Sequence, residues 1–225
     1  MTLHYSSQET FNLTFQPWNG YCTLQEFYNS YDDNDRRKGE YGNQQVRSNF
    51  HAGPQFKSDG VTPLIDSGFD DPDGEHIVFT PEINEHSPGC YRQAGARVGK
   101  YQFSLGSTNN LNNDFPIFRF ADILLAKAEA LWNMNSGDAD ALALVNQVRQ
   151  RAGADAFTEL TADNLLAERG REMFYEGWRR SDLIRFGQWT AEWDFKPASG
   201  DHTTLMPIPA NQIAANPNLQ QNPGY

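Results

Sequence analysis

Between Phe115 and Gly187 apolar residues recur at helical spacing, and no other stretch so narrows what this chain can fold into. Ala121, Leu124, Leu125, Ala128, Leu131 and Trp132 lie three and four residues apart, which predicts one apolar face along a helix from about Arg119 to Met134. Gly137 breaks that helix and Asp138 is a suitable N-cap for a second, lined by Ala141, Val145, Val148 and Ala152 and stopped by Gly153. The short connection makes the two antiparallel. A third helix is expected after Thr161, carrying Leu165, Leu166, Met173 and Phe174 to a break at Gly177, and a shorter fourth from Trp178 to Phe186, ending at Gly187. Gly170 inside the third costs about 1 kcal/mol relative to Ala, which predicts close packing on a neighbouring backbone. The first pair has the length of a tetratricopeptide-type unit, about 34 residues, and one such unit cannot bury both of its faces. Its neighbours are expected to be the helices after Thr161 together with residues outside this chain.

The rest is irregular. Residues 1–114 change character every few positions, with turn signals at Asn19-Gly20, Asp59-Gly60, Asp73-Gly74 and Ser87-Pro88-Gly89. Only Gly95 to Phe103 and His76 to Thr80 carry the Val, Ile, Tyr and Phe content of strands. Residues 188–225 form an irregular closing segment with Pro207-Ile208-Pro209 and Asn216-Pro217. The expected architecture is therefore mainly α: a tetratricopeptide-like helical scaffold over 115–187, a loop-rich region over 1–114 and few short strands.

At 225 residues the chain suits one domain or a compact piece of something larger. It reads as soluble and globular, since no apolar stretch approaches the roughly 18 residues that span a bilayer. A formal net charge of -11 argues against a nucleic-acid surface and favours a neutral or cationic partner. Aromatic residues make up 13% of the chain, and many lie in segments rich in Gly, Asn, Asp and Pro where they cannot all be core. The two cysteines, Cys22 and Cys90, are no disulfide framework, and their spacing does not decide whether they pair. The first residues lack the basic and apolar regions of a signal peptide.

Three blocks, FPIFRFADILLAKAEAL from Phe115, ALALVNQVRQRAG from Ala141 and LLAERGREMFYEGWRRSDLIRFG from Leu165, resemble the carboxy-terminal region of SusD/RagB proteins. The ending LMPIPANQIAANPNLQQNPGY from Leu205 is similar to the closing segment of that family, and PWNGYCT from Pro17, DDNDRR from Asp32 and GARVGKY from Gly95 fit it less specifically. The resemblance implies a surface-exposed outer-membrane lipoprotein that binds glycan without catalysis and caps a SusC-like TonB-dependent transporter. It also implies a longer protein, with an amino-terminal part of further tetratricopeptide-like helices and a lipid anchor that neither Cys22 nor Cys90 has the context to supply.

Glycan capture needs flat apolar faces for the C-H side of a sugar and amide groups for its hydroxyls. Trp18, Asn19 and Tyr21 offer both within one Gly-containing turn and are the candidate ligand-binding residues; the competing reading has Trp18 as a loop anchor packed on the core. Phe27, Tyr28, Tyr31 and Tyr41 around DDNDRR read as an amphipathic helix followed by a solvated turn, and Trp189 and Trp193 as core packing. Glu168, Glu172 and Glu176, one helical turn apart and interleaved with Arg169, Arg171, Arg179 and Arg180, read as ion-pair networks rather than the cleft-flanking carboxyl pair of a glycosidase. Asp70, Asp71, Asp73 and Glu75 match only part of a calcium loop, and His4, His51, His76, His86 and His202 have no zinc spacing, so no metal is expected. No Gly-rich phosphate loop or GxSxG elbow occurs, and neither an enzyme nor a cofactor is called for. The alternative function is a helical docking module for the transporter without a glycan site of its own.

Overall fold

The structure, a computed structural model, describes residues 3–44, 47–66, 74–86, 88–101 and 103–225. Its elements in chain order are α1 (Ser7–Phe11), β1 (Cys22–Thr23), α2 (Gln25–Asn29), β2 (Phe50–His51), β3 (Gly53–Pro54), β4 (Val78–Phe79), β5 (Ala96–Val98), α3 (Phe120–Met134), α4 (Ala139–Ala152), α5 (Ala162–Glu172), α6 (Arg179–Arg185), a 3-10 turn (Asp201–Thr204) and α7 (Ala210–Ala215). The chain divides into two compact units, Met1–Trp178 and Arg179–Tyr225, which are described separately.

In the first unit the helices form as their caps dictate. The Asp138 carboxylate accepts from the Ala141 amide at 2.9 Å to start α4, and Gly153, at φ 84°, ends it in the left-handed conformation that its missing Cβ allows. Thr161 and Asn164 exchange hydrogen bonds as a capping box at the start of α5. α3 packs on α4, and α5 lies against both. Their shared core of Leu125, Ala128, Val145, Val148 and Leu165 is buried, as the periodicity predicts. The opposite side of α3 stays exposed at Phe120, Ile123 and Met134.

The third helix stops earlier than its apolar pattern suggests. The Glu172 carbonyl accepts from Lys100 Nζ and Arg119 Nη2, both at 2.9 Å, instead of continuing the helical ladder. The Glu176 amide turns back to the Met173 carbonyl, and Tyr175 takes φ 63°. Gly170 is buried within α5.

The loop-rich part is stitched by two small antiparallel sheets. One has the order β1-β5-β2, with Arg97 opposite both Cys22 and His51; the other pairs β3 with β4. The expected strand over 95–103 shrinks to three residues because each neighbour supplies only two. An aromatic cluster of Tyr28, Tyr31, Phe50, Phe27 and Phe174 joins this region to the end of α5, and the Tyr31 hydroxyl donates to the Arg171 carbonyl at 2.9 Å.

The segment DDNDRR is a turn, as expected, with Asp32, Asp33, Asn34 and Arg36 exposed, but it is not solvated throughout. Asp35 is 2% exposed, and Arg37 donates to Asp35, to Glu168 at 2.8 Å and to Glu172 at 2.9 Å. Glu168 also accepts from Arg149 at 2.8 Å and Arg171 at 3.0 Å, Glu172 from Arg119 and Arg151, and Glu176 from Arg119 and Lys100. The Glu ladder is thus an ion-pair network as expected, but its cations come mostly from distant segments and its carboxylates are buried. Of its flanking arginines Arg171 pairs within the helix, and Arg169 reaches Asp122 on α3.

In the second unit Trp189 and Trp193 pack on each other at 5.8 Å between ring centroids, and Trp189 Nε1 donates to the Thr203 carbonyl at 3.0 Å. Arg180 lies over Trp189 and Lys196 over Trp193, so both indoles serve packing. Tyr225 closes the segment by donating to the Leu205 carbonyl at 3.1 Å.

Two stability predictions follow from buried charge. Glu168→Gln leaves three buried guanidinium groups short of a counterion and should cost about 3–5 kcal/mol in urea unfolding at neutral pH; a loss under about 1 kcal/mol would show the network to be energetically idle. His51 is 8% exposed, neither ring nitrogen has a hydrogen-bond partner among the described residues, and burial pushes its pKa down to about 4. The folded state therefore resists a proton that the unfolded chain accepts near pH 6.5, so His51 favours folding above that pH and loses this contribution as pH falls toward 4. Stability at pH 5 should lie about 2 kcal/mol below that at pH 7 from His51 alone, and His51→Leu should remove that share of the drop. His4, pushed down to about 3 by burial and then by Arg97, adds in the same direction.

Candidate functional site

Arg97 organises the face on which the sequence places its ligand candidates. It sits in β5, 4% exposed, over the Phe79 ring at 5.2 Å, and it donates to the Asn19 carbonyl at 3.0 Å and to the Arg92 carbonyl. Burial holds its pKa below the usual arginine value. The Val98 amide donates to the Tyr21 carbonyl at 3.1 Å, and Gly20, at φ 79°, makes the turn between these two anchor points. The backbone of 19–21 is therefore bolted to the sheet while its side chains point away from it.

Pro17 is buried and Trp18 is 79% exposed, so the loop is anchored by the proline and not, as the competing reading has it, by the indole. Asn19 is exposed and Tyr21 is 59% exposed. Tyr21 meets Tyr175 with 6.2 Å between ring centroids. Tyr175 carries its ring outward from the strained turn that follows α5, where a left-handed tyrosine is uncommon. Tyr91, 70% exposed, stands on the loop whose Arg92 carbonyl is tied to Arg97, and its amide donates to Asn84 Oδ1 at 2.9 Å. Tyr91 and Tyr175 were not singled out by the sequence patterns. The Ser87-Pro88-Gly89 turn signal just before Tyr91 pointed to an exposed loop, whereas Tyr175 sits inside a run that reads as helix.

Solvent-facing rings on a rigid backbone, with the Asn19 amide between them, can stack on the C-H face of a ring-shaped polar ligand and hydrogen-bond to its hydroxyls. Rigidity matters because ordering a mobile loop on binding would offset part of the gain.

The remaining candidates are placed elsewhere. Tyr28 and Tyr31 are core, and Tyr41 is 56% exposed. The Glu172 carboxyl is held below the usual range: burial works to raise it, but Arg151, Arg119 and Arg37 outweigh burial. Glycosidase acids have raised pKa values, so Glu172 is electrostatically the reverse of one. Asp70, Asp71 and Asp73 lie outside the described residues. Cys22 and Cys90 are free thiols. Among the described residues no group of three His, Cys, Asp or Glu stands close enough to hold a metal ion, and no helix is long and apolar enough to cross a membrane.

A profile of the SusD family matches residues 79–225. The starch-binding protein SusD of Bacteroides thetaiotaomicron is 36% identical over 124 residues, which cover 51% of this chain and 22% of that protein. A SusD superfamily structure from Parabacteroides distasonis superposes with a TM-score of 0.65 at 21% identity, covering 99% of this chain and 47% of the other, a likeness of fold. A laminarin-binding SusD-like protein superposes with a TM-score of 0.50 at 27% identity over 63% of this chain and 31% of that one. The chain thus spans about half the length of a solved relative, and its match covers under a quarter of the starch-binding one.

Proposed function

This chain belongs to the SusD family, and on that premise we propose that it captures glycan on the face formed by Trp18, Asn19 and Tyr21, with Tyr175 and Tyr91 extending it. It does no chemistry on the glycan. In the whole protein the captured glycan passes to a SusC-like TonB-dependent transporter, and the protein sits as a lipoprotein on the outer face of the outer membrane, anchored through a segment outside these residues.

One observation carries the reading: Trp18 is 79% exposed on a loop whose backbone is fixed by Arg97 and Val98. An indole held out into solvent on a loop fixed to the sheet, near the exposed Tyr21 ring, offers a ligand a flat apolar face. Covering one ring face, roughly 60–80 Å², is worth about 1.5–2 kcal/mol. Two or three rings then give millimolar to micromolar affinity after binding costs. The names of two relatives, one binding starch and one laminarin, support the ligand class.

A second reading makes the chain a docking module for the transporter with no glycan site. It is favoured by the apolar residues Phe115, Ile117, Phe118, Phe120 and Ile123, all more than half exposed and unlike a sugar-binding surface. The two readings part on one experiment. Isothermal titration with starch- and laminarin-derived oligosaccharides should show binding that falls about tenfold or more in Trp18→Ala and in Tyr21→Ala, with unchanged melting temperature. Unchanged affinity in the double variant would favour docking.

A further inference from the structure

Beside Asn49, which leads into β2, and Lys100, which follows β5, lies an open cleft of ≈ 430 Å³, large enough for one or two sugar rings. Its walls bring together Arg36, Arg37, Arg47, Lys100, Arg119 and Arg151, with Glu172 as the single acid among them. Four of these cations are engaged by the buried carboxylates: Arg37, Arg119 and Arg151 by Glu172, and Lys100 by Glu176. Arg36 and Arg47 are exposed and make no ion pair among the described residues, and the Arg36 guanidinium donates only to the Arg151 carbonyl, at 3.0 Å. Arg151 keeps more than half of its side chain in solvent while one amino group serves Glu172.

The charge does not balance. Including Arg149 and Arg171, which share Glu168, six cations pair with the five carboxylates of Asp32, Asp35, Glu168, Glu172 and Glu176, so the network already carries one positive charge too many. Arg36 and Arg47 add two further positive charges at the cleft, in a chain whose formal net charge is -11. Tyr101 adds a hydroxyl to the cleft wall: its pKa is pushed up to about 12 by burial and then by the nearby Glu176 carboxylate, so it keeps its proton. Two guanidinium groups outside the ion-pair network, a third with half its side chain in solvent, and a protonated hydroxyl form a recess whose chemistry suits an anion.

Resting on the glycan-capture reading, we propose that this cleft binds the acidic group of a sugar, a uronate carboxylate or a sulfate ester, so that the protein selects acidic glycans. Cleft residues adjoin β2 and β5, and Tyr21 adjoins β1 of the same sheet. β1 and β2 lie on either side of β5, two strand spacings or roughly 10 Å apart. Tyr175, which meets Tyr21, lies between Glu172 and Glu176 of the network on one side and the rings on the other. A densely charged polyanion such as nucleic acid is a poor fit, because the acidic remainder of the chain repels it once it extends beyond the cleft.

The test is calorimetry of the intact chain with trigalacturonate, a sulfated galactan trisaccharide and neutral galactotriose, at low and at high salt, on the native chain and on Arg47→Glu, Arg47→Lys and Trp18→Ala. Arg47 is exposed and outside the buried network, so its variants should keep the native melting temperature. At least one acidic trisaccharide should bind about tenfold or more tightly than the neutral one at low salt, with the advantage shrinking at high salt. Arg47→Glu should abolish that advantage, Arg47→Lys should keep most of it, and Trp18→Ala should weaken acidic and neutral sugars alike. Whichever acidic arm responds identifies carboxylate or sulfate. Neutral binding without an acidic preference, or a preference that survives Arg47→Glu, overturns the cleft proposal and leaves glycan capture standing. Absence of binding by all three sugars, together with no binding of starch or laminarin oligosaccharides, overturns glycan capture and this proposal with it.

Discussion

Three buried carboxylates, Glu168 and Glu172 on α5 and Glu176 in the turn after it, are the constraint on which the first unit depends. A carboxylate taken out of water costs several kcal/mol unless cations meet it, and one helix cannot supply enough of them at the right angles. The chain answers from four other places: Arg37 in the loop after α2, Lys100 after β5, Arg119 at the start of α3, and Arg149 and Arg151 on α4. Each ion pair thereby fixes a segment that has little regular structure of its own. Breaking one partner would cost more than the pair contributes, because the rest would stay buried and uncompensated.

From this network the rest of the unit can be traced outward. Termination of α5 at Glu172, forced by side-chain donors on its carbonyl, frees the chain to turn at Met173 and throws Phe174 inward to the aromatic cluster and Tyr175 outward to Tyr21. Lys100 and Asn49, at the ends of β5 and β2, tie the same turn of helix to the sheet. The sheet in turn carries Arg97, which holds the Asn19 and Arg92 loops. A rigid set of exposed rings is thus a remote consequence of a buried ionic cluster, and glycan capture as proposed here draws its preorganisation from it.

The helices were legible in the sequence because their signals are local. Apolar spacing marked α3 and α4, Asp138 and Thr161 marked starts, and Gly153 marked a stop, each within one or two turns of the element it governs. What was not legible depends on partners far along the chain. Arg37 meets Glu168 across 131 positions, so DDNDRR gave no hint that Asp35 and Arg37 are buried. Strands of two or three residues are too short to show alternation. Trp18, Asn19 and Tyr21 stood out because a turn full of Gly and Asn rarely buries a large ring, while Tyr175 hid inside a helical pattern that a tertiary contact cuts short. The cationic cleft was masked more completely, since its cations come from five separate segments and a net charge of -11 averages them away.

The central claim is that the rings fixed by Arg97 and Val98 receive glycan. A crystal structure of the chain with a bound starch or laminarin oligosaccharide tests it most directly. The account predicts a sugar ring stacked on Trp18 or Tyr21, with the Asn19 amide on a hydroxyl. A sugar bound away from these residues, with both rings still bare, would contradict it.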